Sequence, residues 1–161
     1  MGRGENSKAY ESGGGAGGSL LINASFIKGT GLFDVRGGDG GASTGGGGSG
    51  GITAVYCKTS PLHFSYTLHG GSGKKVGASG FLFSKTTQTQ VEQSELILQG
   101  GGVLAFESPS LLVCDPKQID YTFDKITLLK SSTLSMVSCS PGGPMTLITR
   151  KISGEIGRAH V

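Results

Sequence analysis

The amino-acid sequence predicts an all-β solenoid, in which short strands and glycine-rich turns stack coil upon coil. Gly-Gly pairs at 37–38, 70–71 and 100–101 recur at intervals of about 30 residues, which is typical of solenoid repeats. Apolar residues stand four and two positions before each pair. They are Phe33 and Val35, Tyr66 and Leu68, and Leu96 and Leu98. This alternation in a fixed register predicts strands with one inward face.

The same alternation predicts which side chains meet in the core. The six apolar residues that precede the glycine pairs should lie in one buried column. The polar residues immediately before the pairs, Arg36, His69 and Gln99, should face water.

The strand pattern divides the chain into two parts and a tail. Two short strands are predicted within residues 13–36. The same two-strand unit is predicted twice more, at 52–57 with 63–69 and at 81–85 with 94–99. Residues 1–102 are therefore assigned to glycine-rich repeats and 103–154 to less glycine-rich coils of the same solenoid. In the second part, strands are predicted at 103–107, 110–114, 121–129, 133–138 and 145–152. Residues 155–161 match the translation of a common sequencing adaptor, so we expect a non-native tail on a solenoid fragment.

Glycine supplies 31 of the 161 residues. Because glycine enters positive φ without a Cβ penalty, the paired glycines are expected in tight turns. Residues 37–51 are expected to form a long glycine loop, and a flexible linker is the alternative for that stretch alone.

Residues 15–56 also carry a resemblance. Their frame of Gly-Gly-x-Gly-Gly, short apolar runs, a second glycine tract and then Ile-Thr-Ala-Val-Tyr resembles the glycine-rich repeats of large extracellular proteins, often described as ephrin-receptor-like. The resemblance implies a right-handed parallel β-helix on a cell surface or in a secreted matrix. It implies no kinase activity, and no kinase motif is present. Taken together, the sequence is interpreted as a non-enzymatic structural or adhesive segment, with carbohydrate or other surface proteins as the expected partners.

Charge and hydropathy bear on other classes of partner. The net charge is +3, and the only adjacent basic pairs are Lys74-Lys75 and Arg150-Lys151, so no nucleic-acid surface is expected. No apolar run approaches the roughly 20 residues that span a bilayer, so no membrane span is expected in this fragment.

Motifs that could bind phosphate or metal are incomplete. Gly71-Ser72-Gly73-Lys74-Lys75 lacks the leading glycine and the Ser or Thr of a phosphate loop, so it is interpreted as a turn. Asp39 stands in the wrong place for an iterated calcium-binding repeat. His63 and His69 have no obvious third ligand. We therefore expect neither metal nor cofactor.

Catalytic carboxylates are not clustered in the sequence. Five aspartates are scattered: Asp34, Asp39, Asp115, Asp120 and Asp124. No catalytic residue is assigned. The alternative function is a non-catalytic portion of a parallel β-helix polysaccharide lyase or hydrolase, with its active coil elsewhere in the protein.

Two modifications are candidates in a secreted protein. Asn23-Ala24-Ser25 is an N-glycosylation sequon. Three cysteines, Cys57, Cys114 and Cys139, have no C-x-x-C spacing. In an oxidising compartment a pair could form a disulfide, and in a reducing one they would be small core residues.

Overall fold

The computed structural model describes residues 4–5, 12–41, 44–58, 64–88, 90–101, 109–113, 120–138 and 144–154, which contain strands and no helix. The strands of the first part are β1 (Ser19–Ala24), β2 (Leu32–Asp34), β3 (Ile52–Cys57), β4 (Ser65–Thr67) and β5 (Gly80–Gln88). Those of the second are β6 (Val91–Gln99), β7 (Ser110–Val113), β8 (Asp120–Leu129), β9 (Leu134–Val137) and β10 (Thr146–Gly154). No described segment forms a helix long and apolar enough to cross a bilayer.

Six strands form one continuous sheet in the order β1-β3-β5-β6-β8-β10. Neighbours in this sheet are parallel on both sides of its centre, with β1 and β3 beside β5, and β8 and β10 beside β6. Two short parallel sheets, β2-β4 and β7-β9, complete the coils. The predicted all-β parallel solenoid is confirmed.

One antiparallel pair interrupts the parallel stack. β5 and β6 form a hairpin, in register from Gly80 opposite Gln99 to Gln88 opposite Val91. Gln90 has a φ of 67°, in the left-handed region that tight hairpin turns use. The prediction that 81–85 and 94–99 form another two-strand coil is therefore wrong, because the second strand folds directly back on the first.

The hairpin also moves the core to the other face of the large sheet. Leu82 and Ile97 pack with Val35 and Leu68, at the ends of β2 and β4. Leu96 and Leu98, on the opposite face of β6, pack with Ile126 and Leu134. Strand direction and core face thus reverse together.

This reversal corrects the predicted column. Val35 and Leu68 are buried together, with Phe33 and Tyr66 packed against them, as predicted. Leu96 and Leu98 belong to the other core, because the coil that would have kept them in register is a hairpin.

Gln99 was expected in water but is buried. It is only 8% exposed, and its Oε1 accepts a hydrogen bond of 2.9 Å from the Leu68 N–H. The hairpin brings the end of β6 beside the segment after β4. The Gln99 amide oxygen therefore accepts the hydrogen bond that a neighbouring strand would otherwise accept from Leu68. Arg36 and His69, which were also expected to face water, are half-buried.

The glycine-rich residues 12–18, 35–41, 45–51 and 68–79 form what we call the glycine array. They are extended segments joined laterally by backbone hydrogen bonds, so neither a loop nor a flexible linker describes residues 37–41 and 45–51. Backbone N–H groups that donate to a neighbouring segment recur at every third residue. Gly37 and Gly40, for example, donate to the carbonyl oxygens of His69 and Ser72. Three residues per turn is the period of polyproline II.

Close backbone approach explains why the array needs glycine. A Cβ added at Gly47 would overlap the carbonyl oxygen of Gly71, and one at Gly37 would overlap that of Gly48. Among the described glycines only Gly29 has a positive φ, of 107°. The expectation that glycine serves mainly positive-φ turns is therefore wrong for the array.

Candidate ligand-binding groove

A groove of about 480 Å³ lies where the β2-β4 sheet ends over the large sheet. Phe33, Phe64 and Tyr66 line one side of it. Ionisable side chains of β6, β8 and β10 line the other, namely Glu92, Glu95, Asp124, Lys125, Arg150 and Lys151. The groove exists because the second half of the solenoid has its core on the opposite face, so this face of β6, β8 and β10 stays open.

The aromatic side is positioned by strand pairing. Phe33 of β2 lies directly opposite Tyr66 of β4, and both rings pack against the first core. Phe64, just before β4, contacts Phe33 with ring centroids 5.0 Å apart. Strand pairing thus fixes the backbone positions of Phe33 and Tyr66, and Phe64 packs beside them.

Glu95 and Lys125 form the centre of the charged side. They are register partners on β6 and β8, with Lys125 Nζ 2.7 Å from Glu95 Oε1. The Thr127 hydroxyl donates to the same oxygen at 2.7 Å. The carboxylate is therefore held by two donors while its second oxygen carries no described hydrogen bond.

Asp124 joins β6 to β10 within the groove. The N–H and hydroxyl of Ser94 donate to its Oδ2 at 2.8 and 3.1 Å, and Arg150 Nε lies 3.5 Å from its Oδ1. The backbone hydrogen bond from Ser94, with lesser help from its hydroxyl and from Arg150, holds the pKa of this carboxyl below its usual value. Asp124 is therefore an ionised hydrogen-bond acceptor and a poor proton donor at neutral pH.

The pKa of the Tyr66 phenol is shifted in the opposite direction, upwards. Burial, with the negative charge of Glu95, raises its pKa, and Lys125 opposes that rise. The phenol thus stays protonated at neutral pH and retains an O–H donor beside the carboxylate. Together the groove offers apolar ring surface, a phenolic donor, carboxylate acceptors and cationic donors.

The rim of the groove carries a further ion pair. Lys85 Nζ lies 2.8 Å from Glu92 Oε2, and this hydrogen bond raises the pKa of the lysine. Glu92 lines the groove, and both side chains line a second, smaller pocket of about 290 Å³, together with Asn23 and Cys57. The hairpin residues therefore separate the two concave surfaces.

The candidate modification sites lie apart from the groove. Asn23 is exposed on β1, as glycosylation requires, and Cys57 is buried on β3. Cys114, Cys139, His63 and the tail at 155–161 lie outside the described residues, as does the boundary between 102 and 103. Glycosylation and disulfide formation therefore stay predictions.

The incomplete binding motifs are part of the glycine array. The N–H groups of Gly71 and Lys74 donate to the carbonyls of Gly48 and Gly45, so they are not directed at a phosphate. Asp39 Oδ1 accepts from the N–H and hydroxyl of Ser72, both at 2.7 Å, which lowers its pKa. Among the described residues no group of three or more His, Cys, Asp or Glu side chains could hold a metal ion.

The sequence did not identify the charged side of the groove. Glu95, Lys125 and Lys151 are far apart in the chain, yet register aligns them on successive strands. The available signal was the recurrence of ionisable residues at about the repeat interval. The acidic residues are scattered along the sequence, as expected, but Asp124 and Glu95 both line the groove.

Comparison of the chain with family models, curated proteins and solved structures finds no significant match. The function is therefore inferred from the groove and its surroundings.

Proposed function

We propose that this chain is a non-enzymatic structural or adhesive segment of a secreted or cell-surface β-solenoid protein, and that its groove contacts carbohydrate. The observation that supports this is the aromatic side, Phe33, Phe64 and Tyr66, opposite fixed carboxylates and cations. Sugar rings present apolar C–H faces that pack on aromatic rings, and hydroxyl groups that bond to charged acceptors and donors.

The protonation state of Asp124 favours binding over proton transfer. Asp124 has a lowered pKa and is bonded to Ser94 and Arg150. Glu95 is paired with Lys125 and Thr127. A general acid needs a pKa near the working pH, and Asp124 is shifted away from it. Asp124 is therefore better suited to orienting hydroxyls than to protonating a leaving group.

The extracellular location is part of the same proposal. Asn23 is accessible in the sequon Asn23-Ala24-Ser25, which is a requirement for glycosylation in the secretory pathway. Expression in a secreting eukaryotic cell, followed by glycosidase treatment, tests it. A mass decrease that disappears in Asn23→Gln supports the proposal, and an unmodified secreted chain contradicts it.

Affinity electrophoresis through gels that contain neutral or acidic polysaccharides tests carbohydrate binding. We expect retardation by at least one polysaccharide, and about fivefold weaker binding by Tyr66→Ala, because one aromatic contact contributes about 1 kcal/mol. Phe26→Ala is the matched control, because Phe26 is 66% exposed and does not line the groove. Binding that is equal in both variants, or no retardation by any polysaccharide, would refute the role of the groove.

A second candidate is a portion of a polysaccharide lyase or hydrolase. Asp124, Lys125 and Arg150 line the same groove, and such a set of one carboxylate and two cations favours it. The discriminating measurement is the release of reducing ends or of unsaturated products from the bound polysaccharide. Product release that is lost in Arg150→Ala would favour this candidate over a purely adhesive role.

A further inference from the structure

The second pocket lies on the face of the large sheet opposite the groove. Asn23, Tyr56 and Lys85 line it, and they are register partners on β1, β3 and β5. Because register partners on neighbouring strands share a face, these three side chains form one row across the sheet. Lys85 alternates along β5 with Ser84 and Thr86, which line the groove, so the row is on the opposite face.

Tyr56 places an aromatic ring at the centre of this row. The ring contacts Phe83 edge-on, with centroids 5.7 Å apart, and Phe83 packs against the core that contains Leu96 and Ile126. Tyr56 is nevertheless 39% exposed. The pocket therefore has aromatic surface that is supported by a core on one side and open to a ligand on the other.

Lys85 and Glu92 provide polar groups at one end of the row. Lys85 Nζ lies 2.8 Å from Glu92 Oε2, and both side chains line the pocket. An ammonium has three N–H donors and a carboxylate has about four lone-pair sites, so this pair has capacity for ligand hydroxyls as well. Apolar ring surface beside such donors and acceptors is what a sugar ring can use.

Asn23, at the other end of the row, is the point where a sugar can be attached. It is exposed, it lies in the sequon Asn23-Ala24-Ser25, and its side chain lines the pocket. Neighbouring strands in a sheet lie about 4.8 Å apart, which is close to the width of a sugar ring. A sugar on the Asn23 amide therefore reaches the Tyr56 ring on the next strand.

We propose that an N-acetylglucosamine attached to Asn23 packs its apolar face on Tyr56 and bonds through its polar groups to Lys85 and Glu92. This inference rests on the proposed secretion of the chain. The Asn23 amide nitrogen displaces a lipid-linked diphosphate from the anomeric carbon of the sugar and loses a proton, which forms the N-glycosidic bond. Attachment gives the sugar a high effective concentration at the pocket, so a contact too weak to bind free sugar is populated.

Urea unfolding of the secreted chain with and without the sugar tests the proposal. An endoglycosidase trims the glycan to the single N-acetylglucosamine on Asn23, and Asn23→Gln supplies the sugar-free chain. We expect the attached sugar to lower the unfolding equilibrium constant about fivefold, the size of one aromatic contact. The same pair of measurements in Tyr56→Thr should show no such gain, which completes a double-mutant cycle.

Leu21→Thr is the matched control. Leu21 is 71% exposed on the same strand and face as Asn23, two residues away, but it does not line the pocket. The gain from the sugar should therefore persist in Leu21→Thr. Nuclear magnetic resonance provides a second measurement that needs no variant: the ring protons of the sugar should shift upfield and show cross-relaxation with the Tyr56 ring.

The outcomes separate this inference from the proposed function. A gain that persists in Tyr56→Thr, a gain lost equally in Leu21→Thr, or an attached sugar without cross-relaxation to Tyr56 would overturn the inference and leave secretion intact. An unmodified Asn23 in the secreted chain would overturn both. If Tyr56→Thr does not fold, the cross-relaxation measurement decides the matter. Polysaccharide binding in the groove is on the other face and does not enter this test.

Discussion

Replacing Gly47 by alanine gives the sharpest test of the glycine array. The Gly47 N–H donates to the Lys75 carbonyl at 2.8 Å, and the Gly71 N–H donates to the Gly48 carbonyl at 2.8 Å. A Cβ at residue 47 would overlap the Gly71 carbonyl group, and backbone atoms cannot move aside as a flexible side chain can. The segments must therefore separate.

The size of the effect follows from three contributions. Overpacking costs about 1–3 kcal/mol, and each weakened hydrogen bond about 0.5–1.5 kcal/mol. Alanine restricts the unfolded chain, which offsets about 0.4–1 kcal/mol. We expect Gly47→Ala to lower the free energy of unfolding by about 2–4 kcal/mol.

Gly46→Ala is the matched control in the adjacent position. The nearest atom to its added Cβ would be the Lys75 carbonyl oxygen at 3.8 Å, which is an ordinary van der Waals contact. This variant should be neutral or stabilised by up to about 1 kcal/mol. Urea unfolding followed by far-ultraviolet circular dichroism measures both variants. Equal stabilities of the two would refute the idea that close backbone approach selects glycine here.

Three further predictions concern single buried or paired groups. Gln99→Met leaves the buried Leu68 N–H without its acceptor and should cost about 1–3 kcal/mol in urea unfolding, whereas Gln93→Met, on an exposed part of the same strand, should be nearly neutral. A loss of equal size in both would contradict the buried hydrogen bond. Thr53→Val should raise the free energy of unfolding by about 1 kcal/mol, because Thr53 Oγ1 is buried without a hydrogen-bond partner among the described residues; a decrease would mean that the hydroxyl is satisfied. Hydrogen bonds from β6 lower the pKa of Asp124 in the folded protein. Its ionised form therefore stabilises the fold above the pKa of about 4 that the carboxyl has in the unfolded chain. This stabilisation is lost as the pH falls through the pKa of the folded state. Asp124→Asn should therefore be destabilised at pH 7, with the difference from wild type narrowing below about pH 4; a difference that is constant with pH would contradict this.

Strand positions were largely predictable, because they depend on local alternation. The predicted segments 121–129, 133–138 and 145–152 correspond to β8, β9 and β10. The interval between the first two glycine pairs predicted the parallel pairing of the first coils, since equal intervals place equivalent residues on neighbouring coils, whereas the third pair follows the antiparallel strand β6.

Chain direction was not predictable from that alternation. Leu96, Ile97 and Leu98 are three consecutive apolar residues, which fit a strand buried on both faces in either direction. Only the neighbouring strands decide which of them enters which core. The groove depends on this reversal, so its charged side could not be assembled from the sequence alone.

The structural role of the glycines was not predictable from the sequence for a related reason. A glycine needed for positive φ and one needed for close approach of another segment look the same in a sequence. Gly47 illustrates this, because the backbone that it contacts lies beyond β3 and β4.

The glycine array also has a consequence for behaviour with temperature. Apart from the core residues Val35 and Leu68, its segments are held by peptide hydrogen bonds rather than by apolar side chains, so unfolding of those segments exposes mainly polar surface. Apolar exposure raises the heat capacity and polar exposure lowers it. The array should therefore contribute little to the heat-capacity change of unfolding, and the stability of its glycine segments should vary less with temperature than that of a side-chain core. Order in the array would then persist on cooling, where hydrophobic cores weaken.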